Sequence, residues 1–221
     1  MKKTLLFFMM SASLLYIGCS HPMRVTNLDQ YYAPPSAPAK KEMIKLGVTS
    51  GSASDVQGSR YVNAVIDALK RNSAIEKVVY PYNAAVHEGV VDTVVDISVI
   101  PHYSGRGSNF LVNWPGFLIF APAIWGYGYN ADIETKANVT RLKDNLTQQV
   151  AVPTKWDFRQ AEIDRTWTEI GWFEVGVIPL IGGIVFTQYD PDVTDEFIAK
   201  VSPNYGEFVA RKIADTALSF P

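Results

Sequence analysis

The chain has 221 residues, an apolar content of 48% and a formal net charge of −2 at pH 7. This length and apolar fraction suit one globular domain with its own core. Because 20 basic side chains stand against 22 acidic ones, the sequence has no basic excess of the kind that nucleic-acid binding needs, and we expect no nucleic-acid partner. With a single cysteine, the fold is not expected to depend on disulfides.

The first residues have the parts of an export signal. Lys2 and Lys3 form a short basic region, and residues 4–16 form an apolar stretch that is too short to cross a bilayer as a helix. Gly18 and then Cys19, the only cysteine, follow this stretch. We interpret residues 1–18 as a signal peptide. An ordinary secretory signal with a chance cysteine is the alternative.

This arrangement resembles the lipobox of bacterial lipoproteins. The resemblance implies cleavage before Cys19, a diacylglycerol on its sulfur and an acyl chain such as palmitate on its new amino group. Several acyl chains give a stable membrane anchor, whereas one chain binds only marginally. Ser20, and not Asp, follows the cysteine, which in this family favours the outer membrane. The expected location is therefore the cell envelope, anchored by lipid and facing the periplasm.

Residues 19–41 are predicted to form a lipid-anchored, proline-rich tether that precedes a single domain over residues 42–221. Prolines are frequent in this tether and aliphatic residues are few. A flexible chain of this length spans about 25 Å.

The first half of the domain predicts strands at residues 43–49, 77–80 and 90–100, and a helix at residues 56–71. Ser54 or Asp55 is expected to cap that helix. Its apolar residues recur with helical spacing and predict a buried face, formed by Val62, Val65, Ile66 and Leu69. The β-branched residues of the third strand predict burial on both of its faces.

The second half predicts a β-hairpin and two helices. Residues 129–142 and 150–158 alternate between apolar and polar side chains, which is typical of a hairpin with one wet face. A short helix is expected after Asp192 or Thr194, and a separate helix after Pro203. The fold class is therefore α/β, with a mixed sheet covered by two helices. This order resembles the N-terminal fold of TolB and the core of curli-secretion lipoproteins.

Two apolar inserts interrupt this pattern. The first insert, residues 107–131, carries no charged side chain, and the second insert, residues 170–189, has Pro179 and a pair of glycines at its centre. Prolines and glycines break both inserts, so neither is expected to form a straight transmembrane helix. The residues expected to contact a membrane or a partner are Trp114, Phe117, Leu118, Ile119, Phe120, Trp125, Ile178, Leu180 and Ile181.

Three interpretations of the inserts remain open. They pack against the sheet as ordinary core, they lie in the lipid headgroup region beside the anchor, or they form an interface for self-assembly or for an envelope protein. Trp and Tyr favour the membrane interface. Unpaired backbone is excluded from hydrocarbon, so any insertion must be shallow. A large apolar patch on a soluble domain is usually buried by something.

We assign no catalytic residue, metal or cofactor. Asp92 and Asp96 lie four positions apart on one strand, where paired carboxylates are able to do acid–base work, and His102 follows the same strand. The acidic residues 190–196 resemble a calcium loop only superficially, because the glycine turn is absent. Residues 50–54 suit a capping loop better than a phosphate site.

The expected function is that of a non-enzymatic, lipid-anchored envelope protein. It is expected to act as an assembly or accessory subunit through its apolar inserts. The alternatives are an envelope hydrolase that uses Asp92, Asp96 or His102, and a carrier of a small ligand or lipid.

Overall fold

The computed structural model describes residues 22–32, 43–51, 55–113, 126–161 and 187–220. Six strands and four α-helices are found there. The strands are β1 (Arg24–Val25), β2 (Ile44–Ser50), β3 (Ile75–Val79), β4 (Thr93–Gly105), β5 (Tyr127–Arg141) and β6 (Leu146–Gln160). The α-helices are α1 (Val56–Arg71), α2 (Ala84–His87), α3 (Asn109–Asn113) and α4 (Thr194–Leu218). Two 3₁₀ helices, Leu28–Tyr31 and Pro191–Val193, complete the described elements.

The strands form one mixed sheet in the order β1-β6-β5-β4-β2-β3. Strand β2 runs parallel to both β3 and β4, whereas β1 runs antiparallel to β6. The predicted α/β class with a mixed sheet is confirmed. In the described part of the chain, no helix is both long and apolar enough to cross a membrane.

The chain divides into two compact units. Unit 1 takes its residues from Met1–Thr26, Tyr103–Asn130 and Asp157–Val193. Unit 2 takes its residues from Asn27–His102, Ala131–Trp156 and Thr194–Pro221.

Helix α1 of unit 2 begins and packs as its sequence predicts. The carboxylate of Asp55 accepts hydrogen bonds from the backbone N–H groups of Gln57 at 3.3 Å and Gly58 at 2.8 Å, which satisfies two donors of the first turn. All four residues of the predicted apolar face are buried. The alternative cap, Ser54, lies outside the described residues.

Helix α4 differs from the prediction, because Pro203 does not divide it. The helix runs unbroken from Thr194 to Leu218, with Pro203 inside it. Proline removes one backbone hydrogen bond and usually breaks a helix. Here Val201 before the proline and Tyr205 after it are both fully buried, so packing on either side maintains one continuous helix.

Strand β4 is longer than predicted and has only one buried face. It continues through Pro101 to Gly105, past Ile97, which is the last residue that pairs with β2. Pro101 lies beyond that last pair, where its missing N–H costs no bond to β2. Asp96 and Ile100 are exposed, so the expectation of burial on both faces was wrong.

The hairpin of β5 and β6 agrees with the predicted alternation. The turn between the strands contains Asn145, which has a positive φ of 58°, a conformation that Asn tolerates better than most residues. Buried positions alternate with exposed ones along β5, and Val152, Trp156 and Phe158 are buried on β6.

The predicted tether has regular structure over part of its length. Met23 is fully buried, and β1 pairs with β6 so that Arg24 lies opposite Arg159. In unit 2, the Tyr31 hydroxyl accepts a hydrogen bond from the backbone N–H of Lys155 at 2.8 Å, and its ring lies 4.3 Å from the Trp156 ring. Residues 22–32 are therefore part of the fold, which corrects the prediction for this stretch.

Helices α1 and α4 approach each other closely at Gly206. A Cβ atom added to Gly206 would lie 2.5 Å from the carbonyl oxygen of Ala64. We predict that Gly206→Ala forces α4 away from α1 and lowers the free energy of unfolding by about 1–3 kcal/mol, measured by urea denaturation. Gly107→Ala is the matched control, because an added Cβ there meets nothing within 4 Å. An equal loss in both variants would contradict this account.

Tyr205 of α4 joins the helix to the sheet through its hydroxyl, which lies 2.6 Å from the Thr135 hydroxyl of β5. Burial raises the pKa of Tyr205 above its ordinary value. Because the folded-state pKa is the higher one, the stabilisation is complete below about pH 10 and decreases as the pH rises further.

We predict that Tyr205→Phe lowers the free energy of unfolding by about 1–2 kcal/mol at neutral pH, since it leaves the buried Thr135 hydroxyl without this partner. The same variant should lose less stability than the wild type between about pH 10 and pH 11. Urea titrations at each pH measure both effects, with Tyr32→Phe as the control because Tyr32 is 69% exposed. Parallel pH profiles for wild type and Tyr205→Phe would exclude the proposed role of the hydroxyl.

Candidate functional site

Unit 1 contains the described ends of both apolar inserts. The chain leaves the described part after Asn113 and returns at Gly126, and it leaves again after Ala161 and returns at Thr187. We call the described residues at these four points the insert roots: 105–113, 126–130, 157–161 and 187–189.

The two ends of the first insert are joined by a buried side chain. Asn109 of α3 is 1% exposed. Its side-chain amide donates to the carbonyl oxygen of Gly128 at 2.9 Å, and its amide oxygen accepts the N–H of Gly128 at 2.7 Å. The backbone N–H of Arg106 also donates to the Gly128 carbonyl at 3.0 Å. These bonds join the two described ends of the first insert at Gly128 of β5.

The ends of the second insert lie against the ends of the first. Gly126 has a φ of +68°, and a Cβ added to it would lie 2.8 Å from the Gln160 carbonyl oxygen and 3.2 Å from the Ala161 nitrogen. At the end of β4, Gly105 lies so close to the carbonyl oxygen of Thr187 that a Cβ atom would not fit between them. The described ends of the two inserts therefore lie side by side.

Arg106 contributes two side-chain polar contacts at the roots. The Nε of Arg106 donates to the side-chain oxygen of Asn130 at 2.8 Å, and its guanidinium forms an ion pair with the carboxylate of Asp157. The side chain of Arg106 is only 28% exposed. Because the Asp157 side chain is 52% exposed, solvent screens this ion pair in part.

Four aromatic rings contact one another at the roots and at the neighbouring residue Tyr103 of β4. Tyr103 and Tyr189 stack with their ring centroids 5.0 Å apart and an interplanar angle of 12°. Tyr189 meets Tyr129 edge to face at 5.5 Å, and Tyr129 lies 5.3 Å from Phe158. Offset and edge-to-face ring pairs each contribute about 0.5–1.5 kcal/mol beyond the area they bury. The roots are thus held by rings as well as by hydrogen bonds.

The residues predicted to bind a membrane or partner all lie outside the described residues, as does the predicted lipidation site. The set comprises Cys19, Trp114, Phe117, Leu118, Ile119, Phe120, Trp125, Ile178, Leu180 and Ile181. The sequence did not identify Arg106, Asn109 or Asp157 as contributors. Two features of the sequence could have pointed to them: Arg106 borders the uncharged residues 107–131, and Asn109 is a polar residue within them.

The polar residues considered for catalysis have separate structural partners in unit 2. The Asp92 carboxylate accepts the backbone N–H of Lys45 at 3.2 Å, and the Asp96 carboxylate accepts the Thr49 hydroxyl at 2.8 Å. Both carboxylates therefore hydrogen bond to residues of strand β2, which is the neighbour of β4 in the sheet. His102 is exposed on β4.

The acidic stretch at residues 190–196 also has local partners. The Asp190 carboxylate accepts the N–H of Asp192 at 2.9 Å, and Asp195 forms an ion pair with Arg60 of α1. Within the described ranges, no cluster of three or more His, Cys, Asp or Glu side chains is arranged to hold a metal ion.

Unit 2 also has an open groove of about 1280 Å³, lined by Tyr82, Glu88, Asp92, Arg141 and Phe220 among others. The guanidinium of Arg141 lies 5.1 Å from the centre of the Phe220 ring, and its Nε donates to Asp144 at 3.0 Å. That hydrogen bond lowers the pKa of Asp144. The charge of Arg141 is thus already paired with Asp144 within the fold.

No protein-family model matches the chain, and no curated protein matches it significantly. Among solved structures, the chain is similar to the PelC dodecamer from Paraburkholderia phytofirmans, with 11% identity and a TM-score of 0.31, covering 83% of this chain and 96% of that one. A dodecameric point variant of the same PelC gives 10% identity and a TM-score of 0.29 with the same coverage. These values are too low to transfer a partner, an activity or an assembly state to this chain.

We predict that Asn109→Asp loosens the base of the first insert. The carboxylate loses the donor to the Gly128 carbonyl and places a buried charge beside it, so the free energy of unfolding should fall by about 1–3 kcal/mol at neutral pH. The deficit should shrink near pH 4, where a protonated Asp donates again. Asn138→Asp, at an exposed position on β5, is the control, and urea denaturation is the measurement. A deficit that does not depend on pH would contradict the assigned hydrogen bonds.

Proposed function

We propose that the chain is a lipid-anchored envelope protein whose two apolar inserts act together as one contact surface. Its role is that of an assembly or accessory subunit and not of an enzyme. The observation that carries this proposal is the side-by-side position of the insert roots, above all the contact between Gly126 and Gln160–Ala161. Two apolar segments whose ends adjoin are able to form a single apolar patch. Two segments whose ends lie far apart are not.

The rigidity of the roots supports the same proposal. The Asn109–Gly128 hydrogen bonds and the stacked rings of Tyr103 and Tyr189 fix the bases of both inserts independently of what the inserts contact. A contact surface benefits from such a base, since less conformational entropy is lost when it binds.

The predicted lipid on Cys19 supplies the membrane attachment in this proposal. By resemblance to bacterial lipoproteins, the location is the outer membrane, on the side facing the periplasm. The inserts contact lipid headgroups or an envelope partner, including a second copy of the chain. Both kinds of partner bury apolar surface that is otherwise exposed to water.

The hydrolase alternative needs an acid, a base and a nucleophile in mutual reach. Among the described residues, Asp92 and Asp96 are each hydrogen bonded to strand β2, which gives them a structural role in pairing the strands. No described observation favours the hydrolase or the carrier over the assembly role.

We predict that the mature chain with Cys19→Ala still sediments with membranes after a high-salt wash. The apolar surface does not depend on charge, so salt should not release it. Leu118→Asp combined with Ile119→Asp in the same background should leave the protein folded but soluble. Sedimentation followed by immunoblotting measures both results, and circular dichroism reports folding.

The matched control carries Leu142→Asp and Leu146→Asp, which are 42% and 44% exposed in the described structure. This control should remain with the membranes. If the Cys19→Ala chain is released as a monomer, or if the Leu118 and Ile119 variant fails to fold, the inserts are core and the proposed surface does not exist. The mass of the mature amino terminus tests lipidation of Cys19 separately.

A further inference from the structure

Strand β6 has an open outer edge over part of its length in unit 2. Its inner edge adjoins β5, and β1 pairs with the outer edge only at the end of the strand. In unit 2, the side chains of Asn27 and Tyr31 bind the backbone of Lys155 on the outer edge, at 2.6 Å and 2.8 Å. Within the described part of the chain, no strand pairs with the outer edge of residues 146–153. We call residues 146–153 the open edge.

The alternation of β6 shows which backbone groups point out of the open edge. In an antiparallel strand, the N–H and C=O of one residue point to the same side, and successive residues alternate between the two sides. The N–H and C=O of Lys155 point outward, because they bond to Tyr31 and Asn27. The residues that share this direction are Thr147, Gln149, Ala151 and Pro153, and all four are exposed.

Strand β6 keeps this alternation without a bulge. Lys155 forms an ion pair with Asp132 of β5 at 3.6 Å, and the Thr147 hydroxyl lies 2.9 Å from the Thr140 hydroxyl of β5. These two contacts are separated by the same number of positions on β6 and on β5. A bulge between them would add a residue to one strand only and break this equality. The outward direction assigned from Lys155 therefore holds along the open edge.

The open edge carries no charged side chain, whereas the covered part of β6 contains Lys155, Asp157 and Arg159. Unpaired backbone groups at a sheet edge are a template for another strand, and natural proteins often protect them with charged side chains. Pro153 gives such protection at its own position only, because it lacks an N–H. The rest of the open edge is therefore suited to pairing with a further strand.

Pro153 also selects one register for pairing with an identical strand. Three outward residues, Thr147, Gln149 and Ala151, offer both an N–H and a C=O. An antiparallel copy pairs all three only when Gln149 lies opposite Gln149 of the second copy, so that Thr147 and Ala151 lie opposite each other. Pro153 then lies opposite Asn145, which belongs to the turn before β6, where no ladder bond is needed.

The side chains are compatible with the same register. Leu146, which is 44% exposed, would lie opposite Val152 of the second copy on the core side of the sheet. Contact between them would remove apolar surface from water. On the other face, the two Gln149 side chains would meet, and each amide has both donors and an acceptor for the other. No pair in this register joins like charges.

We propose that the chain forms a two-fold symmetric dimer in which β6 pairs with β6 of a second copy, with Gln149 at the symmetry axis. The two sheets then continue into each other through the backbone of Thr147, Gln149 and Ala151. Because both copies use the same surface, the interface closes at two chains. The dimer depends neither on lipidation of Cys19 nor on the inserts, and it goes beyond the proposed function.

The first test uses the fact that residue 149 meets itself in the proposed register. Sedimentation velocity of the mature full chain with Cys19→Ala, in a non-ionic detergent that shields the inserts, measures dimerisation against protein concentration. We expect a reversible dimer. Gln149→Lys and Gln149→Glu each place like charges opposite one another and should weaken it by about tenfold. An equimolar mixture of the two variants should restore the dimer, because opposite charges then meet.

The matched controls are Asn63→Lys and Asn63→Glu, which add the same charges at an exposed position of α1. These controls should dimerise as the wild type does. The proposal is overturned if the wild type stays monomeric at every concentration, if the Asn63 variants lose as much affinity, or if mixing the two Gln149 variants does not restore the dimer.

A second test addresses the backbone hydrogen bonds. Gln149→Pro removes the outward N–H at the symmetry axis and, like Pro153, takes no bond from β5. Gln149→Ala keeps this N–H and is the matched control. We expect only the proline variant to lose dimerisation, by about tenfold, with circular dichroism to report folding. Equal affinities for the two variants would contradict the proposed ladder.

Hydrogen exchange decides the question if the proline variant does not fold. In the wild type, the amides of Thr147, Gln149 and Ala151 should exchange slowly in the dimer and rapidly after dilution to monomer. Slow exchange in the monomer would show that the chain covers its own edge, and rapid exchange in the dimer would show that another surface joins the copies. Either result overturns the proposal.

Discussion

The packing of unit 2 depends on a single turn of helix α4. The Tyr205 hydroxyl fixes the distance from α4 to β5 through Thr135, at 2.6 Å. The next residue, Gly206, allows α4 to contact the backbone of α1 at Ala64. Adjacent residues therefore set the distance to the sheet and the distance to the other long helix together. Since both contacts follow Pro203 by less than one turn, a break at the proline would misplace them, and the helix continues despite the lost hydrogen bond.

Unit 1 is stabilised in a different way. Its described contacts include hydrogen bonds to backbone groups and contacts between aromatic rings. Asn109 occupies both hydrogen-bonding groups of the Gly128 backbone, so each becomes satisfied in a buried setting. The rings of Tyr103, Tyr129 and Tyr189 add directional contacts. Contacts of this kind fix the positions of the two ends of an insert. They place no requirement on the amino-acid composition between those ends. This explains how segments as apolar as the inserts are compatible with an ordered base.

Regular patterns made part of this fold predictable. The helical spacing of Val62, Val65 and Leu69 and the alternation along β5 each repeat over several turns or residue pairs, so local sequence is sufficient. Strand β1 has two residues and no period, and Tyr31 is recognisable only through its contact with Lys155, 124 positions away. The composition of the inserts was visible in the sequence, but the convergence of their roots was not. Contacts such as Gly126 with Gln160 are set by strand pairing, and nothing in the sequence near either residue reports it.

Under the proposed lipidation of Cys19, the docking of β1 determines how the anchor would act. A free tether of residues 19–41 would let the domain sample all orientations over about 25 Å. With Met23 buried, the proposed lipid would lie only four positions from a residue that is fixed in unit 1. A short link raises the effective concentration of the membrane at the surface near β1 and leaves other surfaces unaffected. Contacts between the membrane and the surface near β1 that are too weak to hold an unanchored domain would then be populated. Because Gln160 follows Arg159 on β6 and contacts Gly126, the surface favoured in this way adjoins the insert roots. Under the proposed lipidation, the anchor would therefore act on the same part of unit 1 that contains the insert roots.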